Sequence, residues 1–314
     1  MVVPTINDVR AAADRIKGIV VRTPLVRNDA IDAMAGARIF VKAENLQRGG
    51  AFKMRGAANA IAALDPEARK RGVLAYSSGN HAIAVATASK LAGISAVIVM
   101  PADAPRIKQE TTRSLGAEVV TYDRVTESRE AIGGAIASQR NLNIVRPFDD
   151  PNVIAGQGTA GLEIGEEIAP DVVFAPASGG GLATGVSLAL PQAAIYAVEP
   201  KGHDDIARTF QAGAIQTNAP GIRSICDGLL TDRMGEITYE IAKKRFSEVV
   251  VMDDEAVLRA MRLAFTHLKL VLEPSGAVAL AAALWGGREI KGKTVAVLAS
   301  GGNVDAETFA RALA

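Results

Sequence analysis

The sequence predicts an α/β protein built on mostly parallel sheets, and three observations carry that expectation. Short β-branched runs alternate with helical patterns almost from end to end. Several of the runs are apolar throughout, as strands buried on both faces are. Glycine-rich turns follow some of them directly, which is where open parallel sheets bind ligands. In chain order the predicted strands are Arg38–Lys42, Val73–Ser77, Ala96–Met100, Glu118–Tyr122, Ile144–Arg146, Val172–Ala175, Ile195–Glu199, Glu248–Met252 and Thr294–Ala299. Ala-rich amphipathic stretches supply the helices: Gly56–Leu64, His81–Leu91, Arg106–Leu115, Glu255–His267 and Ala277–Leu284. The four strands within Val73–Arg146 can close as a unit of their own. The expected division is therefore a large domain of residues 1–71 and 148–314 with a small α/β domain, 72–147, inserted in it.

Bulk properties narrow the function. The 314 residues are 49% apolar and 22% charged, with a formal net charge of +1, so a globular core is expected. Charges of both signs are spread along the chain, with no basic stripe for nucleic acid. Cys226 is the single cysteine, which forbids an internal disulfide and suits a reducing cytoplasm. The start, Met1-Val2-Val3-Pro4-Thr5, is not expected to be a signal peptide. No apolar run approaches the ~20 residues of a membrane span. Thirty glycines against 4% aromatics suggest backbone packed closely against a ligand.

Four turns carry candidate chemistry. Lys53, in Ala51-Phe52-Lys53-Met54-Arg55-Gly56, stands among apolar neighbours after a Gly49-Gly50 loop. Such a lysine can lose its proton and act as an imine-forming amine; taken alone, most lysines in that place are solvated surface residues. Ser77-Ser78-Gly79-Asn80-His81 puts two hydroxyls, a glycine and an amide between a strand and a helix. That is a cradle for a carboxylate or phosphate, although Ser78 or Asn80 could simply cap the helix. Ser178-Gly179-Gly180-Gly181-Leu182 exposes successive N–H groups suited to a phosphate, without the spacing of either nucleotide-binding glycine signature. Ser300-Gly301-Gly302-Asn303 ends the last strand, where Asn303 or Asp305 could equally cap a helix.

Together these motifs resemble the fold-type II pyridoxal-5′-phosphate (PLP) enzymes of the threonine dehydratase and serine racemase family, closest to the serine racemase and 3-hydroxyaspartate dehydratase branch. The resemblance runs from Thr23-Pro24-Leu25 to Asp305 and includes Gly156-Gln157-Gly158-Thr159 and Leu272-Glu273-Pro274-Ser275. It implies two open, mostly parallel twisted sheets with helices on both faces. It also implies that Lys53 carries PLP covalently, with Phe52 beside the ring and Asn80 on its 3-oxygen. Gly179, Gly180, Gly181 and Leu182 would bind the phosphate; Glu273 and Ser300 would complete the cofactor site, Ser300 facing the pyridine nitrogen. A serine there leaves that nitrogen largely neutral, which favours elimination over transamination.

By the same likeness, the substrate carboxylate lies in the Ser77, Ser78, Gly79, Asn80, His81 loop. Lys53 is the base at Cα and Ser78 the proton carrier on the opposite face. Glu199, Asp205 and the main-chain oxygen of His203 match the family's cation site, suited to Mg²⁺, or to Ca²⁺ or Mn²⁺; the alternative is a solvated acidic turn. Ala51, Ala82-Ile83 and Ser178 depart from the usual family residues. No C-terminal regulatory domain is expected, and a homodimer is.

Arg129 matches an arginine of the racemase and hydroxyaspartate branch, and could pair with a second substrate carboxylate. The resemblance then points to 3-hydroxyaspartate, giving iminosuccinate and then oxaloacetate plus ammonia. The alternative for Arg129 is a helix-surface residue between Glu127 and Glu130. L-threonine or L-serine dehydration, with racemisation as a side activity, stays open. A cysteine-synthase-like protein is disfavoured by the Ser-Gly-Asn-His loop, and a nucleotide-binding regulator by the missing phosphate-loop signatures.

Overall fold

The computed structural model describes residues 1–314 apart from Pro105, Arg124 and the side chain of Ile107. Ten strands form among the described residues: β1 Leu25–Val26, β2 Arg38–Ala43, β3 Val73–Tyr76, β4 Ala96–Pro101, β5 Glu118–Tyr122, β6 Asn143–Ile144, β7 Val172–Pro176, β8 Ala194–Pro200, β9 Phe246–Met252 and β10 Thr294–Ala299. They make two sheets, one of order β1-β2-β10-β7-β8-β9 and one of order β5-β4-β3-β6. Every pair is parallel except β1 on β2, so the predicted α/β architecture is observed. β4, β7 and β10 are buried at every residue, which is why they read as unbroken apolar runs.

Differences from the sequence expectation have local causes. β1 is two residues long and too short to show a period. β6 falls at Asn143–Ile144 rather than Ile144–Arg146, because only Asn143 and Ile144 find partners on β3. The helix predicted to run to His267 ends at Leu263 and continues as a π-turn, Ala264–Leu268. A 17-residue helix, Pro151–Glu167, was hidden by its four glycines, poor helix formers by propensity. Packing demands three of them. A β-carbon on Gly156 would lie 2.6 Å from the Arg55 carbonyl oxygen, one on Gly158 2.7 Å from that of Gly185, and one on Gly161 2.8 Å from Ala189 Cβ. The helix thus crosses the helices Lys53–Ala62 and Gly181–Ala189 at backbone contact.

A buried ionic cluster fastens the same region. Arg55 donates from Nε to Glu44 Oε2 at 2.8 Å, and from its two Nη groups to Glu44 Oε1 at 2.8 Å and Glu163 Oε1 at 2.7 Å. Lys42 Nζ donates to Glu163 Oε2 and to the Thr23 carbonyl, both at 2.6 Å. Lys42, Glu44 and Arg55 have no exposed side-chain surface, and Glu163 has 14%. Burial alone would raise the Glu163 carboxyl, but the hydrogen bonds from Arg55 and Lys42 outweigh it and hold the pKa low. Two cations and two anions leave no net charge, the condition under which burial is tolerable.

Glu163→Ala strips one carboxylate from both cations and should lower the unfolding free energy by about 3–5 kcal/mol. The urea midpoint at unchanged slope reads this directly; a loss below about 1 kcal/mol would show that the cluster does not hold the helix in place.

Candidate active site

The glycine-rich turns all lie beyond the carboxyl ends of strands: Ser77–His81 after β3, Ser178–Gly181 after β7 and Ser300–Asn303 after β10. Lys53 begins the helix that follows β2. Its loop is paired with the turn after β10, since Phe52 N–H donates to the Ser300 carbonyl at 3.0 Å and Ala51 bridges Gly301. β2, β10 and β7 are adjacent, so the Lys53, Ser300 and Gly179–Gly181 segments share one end of the large sheet.

Lys53 retains some exposed surface, yet its amine sits deep. Nζ donates to the Pro147 carbonyl at 2.7 Å and lies 5.2 Å from the Phe52 ring centroid. Desolvation brings the amine down to about 8. No carboxylate forms an ion pair with it among the described residues, so nothing restores the charged form.

The Ser77–His81 turn is half-buried over its first four residues. Ser77 Oγ accepts from Gly79 N–H at 3.2 Å. Asn80 Nδ2 donates to Glu273 Oε1 at 2.6 Å, and its Oδ1 accepts from Asn303 at 2.8 Å. One amide hydrogen of Asn80 is left for a cofactor oxygen. Burial, then the charge of Asp227, push the Glu273 carboxyl up to about 8. His81 behaves differently from its neighbours. Its ring is buried, with Nε2 2.9 Å from the Val145 carbonyl and Nδ1 unpartnered. Burial, then the Lys53 charge, take it down to about 3. The imidazole is therefore neutral and braces the segment leading to Pro147, leaving the main-chain N–H as its contribution to a carboxylate cradle.

The triple-glycine turn opens the helix Gly181–Ala189 with no side-chain cap, and Gly180 adopts φ +92°. A β-carbon on Gly179 would come within 2.3 Å of the Phe148 ring, and one on Gly180 within 2.8 Å of Thr238 Cβ. Uncapped N–H groups at a helix start, on a backbone with no room for side chains, suit a phosphate. Thr238 Oγ1 donates to the Gly179 carbonyl at 2.7 Å, and Ser178 and Thr231 hydroxyls are hydrogen-bonded. Ser300, 3% exposed, donates to the Ser275 carbonyl at 3.3 Å.

Arg129 is the first residue of the helix Arg129–Arg140. Its Nε donates to Glu130 at 2.7 Å, and its guanidinium lies over the Tyr76 ring at the end of β3. Desolvation works against its charge, but Glu130 chiefly, with weaker contributions from Tyr122 and Asp232, raises the pKa. Asp232 adjoins Thr231 of the Ser178 contact, so Arg129 senses the glycine-turn side of the crevice.

Farther along β8, Glu199 and Asp205 are buried. Glu199 accepts from Ile206 and Ala207 N–H, each at 3.0 Å; Asp205 accepts from Asn218 at 2.7 Å and Met234 N–H at 2.8 Å. Burial, then the nearby Asp205, raise the Glu199 carboxyl well above its usual range, and burial takes Asp205 up to about 6. Among the described residues no three His, Cys, Asp or Glu side chains cluster as metal ligands. The expected set has only two side chains and a main-chain oxygen. His203 offers no free Nε2, which lies 3.1 Å from the Ile222 carbonyl.

A lowered-pKa amine beside an uncapped, side-chain-free helix start is what a phosphorylated carbonyl cofactor requires, and this defines the protein as an enzyme of that cofactor class. More particularly, the chain belongs to the family described as "Pyridoxal-phosphate dependent enzyme", whose sequence model matches residues 16–301. It is 41% identical over 316 residues to the L-threo-3-hydroxyaspartate ammonia-lyase of Saccharomyces cerevisiae, covering 99% of this chain and 96% of that protein. The structure of maize serine racemase superposes with a TM-score of 0.94 at 39% identity, over 99% of this chain and 97% of that one. The serine racemase of Dictyostelium discoideum gives a TM-score of 0.90 at 38% identity, over 96% and 99%. A bacterial-type threonine deaminase structure gives 0.89 at 41% identity, again over 96% and 99%.

Sequence reasoning missed Pro147 and Phe148. A carbonyl acceptor and a ring packed on glycine leave no compositional trace, though Arg146-Pro147-Phe148 follows a predicted strand and could have been read as site-facing. If the Gly179 turn holds the cofactor phosphate, Gly179→Ala must displace Phe148 and should weaken PLP binding by roughly 5- to 100-fold, the range of overpacking penalties. Titration of apoenzyme with PLP, followed by absorbance, measures it; unchanged affinity would remove the turn from the site.

Proposed function

We propose that the protein is a PLP-dependent ammonia-lyase that removes water, then ammonia, from 3-hydroxyaspartate to give oxaloacetate. The observation that carries the substrate reading is Arg129, a guanidinium held beside the Ser77–His81 turn. The yeast relative, named for action on L-threo-3-hydroxyaspartate, supports the same reading.

In this proposal Lys53 holds the cofactor, Gly179, Gly180, Gly181 and Leu182 take its phosphate, and Phe52, Asn80, Glu273 and Ser300 surround its ring. When bound, PLP supplies an electron sink for the pair left at the substrate Cα. Lys53 Nζ removes the Cα proton, a role its pKa near 8 suits. Ser77, Ser78, Gly79, Asn80 and the His81 N–H hold the α-carboxylate, and Ser78 offers a hydroxyl to the opposite face. Loss of hydroxide from Cβ with a proton makes water; hydration of the resulting imine releases ammonia. The likeness to threonine deaminase favours a second reading, L-threonine or L-serine dehydration with racemisation as a side activity, in which Arg129 serves only its helix.

The proposal extends to a divalent cation, Mg²⁺ or else Ca²⁺ or Mn²⁺, at Glu199, Asp205 and the His203 main-chain oxygen. Two buried carboxylates, one raised by the other's charge, lack a counter-charge, and carboxylate oxygens retain lone pairs for a hard cation. Residues 72–147 form the small domain, with 1–71 and 148–314 the large one. A cytoplasmic homodimer completes the reading; one buried cysteine suits a reducing compartment. Among the described residues no helix is long and apolar enough to cross a membrane.

A keto-acid release assay across serine, threonine and the 3-hydroxyaspartate isomers tests the substrate. The expected preference is for 3-hydroxyaspartate, and Arg129→Ala should reduce kcat/KM for it by roughly 30-fold, the lower end for a partly exposed charge-assisted pair. Serine should change little. Equal loss on both would make the enzyme a plain serine/threonine dehydratase.

Chelation should lower the melting temperature and Mg²⁺ restore it, since a cation at a hundredfold excess over its Kd stabilises by about 2.7 kcal/mol. A melting temperature indifferent to chelator would leave Glu199 and Asp205 as a structural pair.

A further inference from the structure

Tyr76 ends β3, immediately before the Ser77–His81 turn, and is half-buried. The carbon at the centre of the Arg129 guanidinium lies 5.9 Å from its ring centroid, within the reach of cation–π attraction. The ring also rests on the helix that carries Arg129. A β-carbon built at Gly133 would stand 3.2 Å from Tyr76 Cδ1 and 3.2 Å from Leu74 Cδ2, whereas one at the adjacent Gly134 meets nothing within 4 Å. The need for glycine is thus confined to the position beneath the tyrosine. Arg129 and Gly133 are four residues apart and share a helix face, so one ring spans both.

The guanidinium is held on a second side as well. Its Nε edge is taken by Glu130 at 2.7 Å. Among the described residues its two Nη groups make no hydrogen bond, and those form the two-pronged end that matches a carboxylate. A free arginine would lose rotamer freedom on gripping a ligand; an arginine clamped at one edge and one face has lost it beforehand.

We infer that Tyr76, seated on Gly133, is a positioning residue that holds the open end of Arg129 over the crevice and so sets the preference for substrates with a second carboxylate. The inference rests on the reading of Arg129 proposed above. It requires the aromatic face and not the hydroxyl, and it assigns Gly133 a purpose that helix propensity opposes.

The test compares KM and kcat for threo-3-hydroxyaspartate and for serine in the holoenzyme. Tyr76→Leu should raise KM for hydroxyaspartate by roughly 2- to 30-fold, the span of cation–π strengths. Its kcat and the KM for serine should barely move. Tyr76→Phe should restore wild-type KM. Gly133→Ala should raise the same KM in the same direction, and Gly134→Ala should not. As a readout independent of turnover, the rise in melting temperature produced by succinate should shrink in Tyr76→Leu and return in Tyr76→Phe.

Equal effects of Tyr76→Leu on both substrates, or failure of phenylalanine to restore, would overturn the inference. So would a selective Arg129→Ala beside an unselective Tyr76→Leu, which leaves the substrate reading standing. An unselective Arg129→Ala overturns both. If Tyr76→Leu does not fold, the glycine pair decides: identical effects of Gly133→Ala and Gly134→Ala overturn it.

Discussion

Desolvation of the Lys53 amine is the constraint around which the surrounding structure is arranged. Moving a lysine from its usual 10.5 to about 8 raises its neutral fraction at pH 7 by roughly a few hundredfold. That state needs a neighbourhood that offers an acceptor but no counter-charge, and Pro147 supplies it with a carbonyl. Both ends of this hydrogen bond are braced. The lysine side is pinned by the Ala51–Gly301 bridge and, two residues on, by the Arg55 cluster. The acceptor side is pinned by His81 on Val145 and by Phe148 packed against Gly179. Misplacing either side would let water reach the amine or put the carbonyl out of range.

The two sheets meet through few polar contacts. Asn80, from the small sheet's turn, donates to Glu273 beside the large sheet, and Lys108 reaches Asp227 at 3.2 Å. The first is partly buried and joins a carboxyl with a raised pKa; the second is an exposed pair of small energetic value. By contrast, the helices Lys53–Ala62 and Pro151–Glu167 interlock at backbone contact around an ionic cluster. Rigidity is concentrated under the lysine, while the crevice is closed by contacts that a ligand can replace.

Much of this was legible in the sequence. All nine predicted strands exist, because parallel strands buried on both faces leave apolar runs that need no partner to be recognised. The turns were legible because glycine and hydroxyl residues clustered after those runs. What stayed hidden depends on partners distant in the chain. The helix Pro151–Glu167 looks weak until Arg55 and Gly185 are seen against its glycines. His81 reads as a site residue, yet its ring serves Val145. Arg55 reads as one more surface cation until Glu44 and Glu163, 11 and 108 positions away, are found on it.

Borohydride reduction of the holoenzyme followed by peptide mapping tests the central place of Lys53 most directly. Reduction fixes the cofactor to whichever amine carries it. The expected result is a single pyridoxyl-phosphate modification on the peptide containing Lys53. Modification of another lysine, or none, would contradict the placement of the cofactor and with it the reading of the glycine turns.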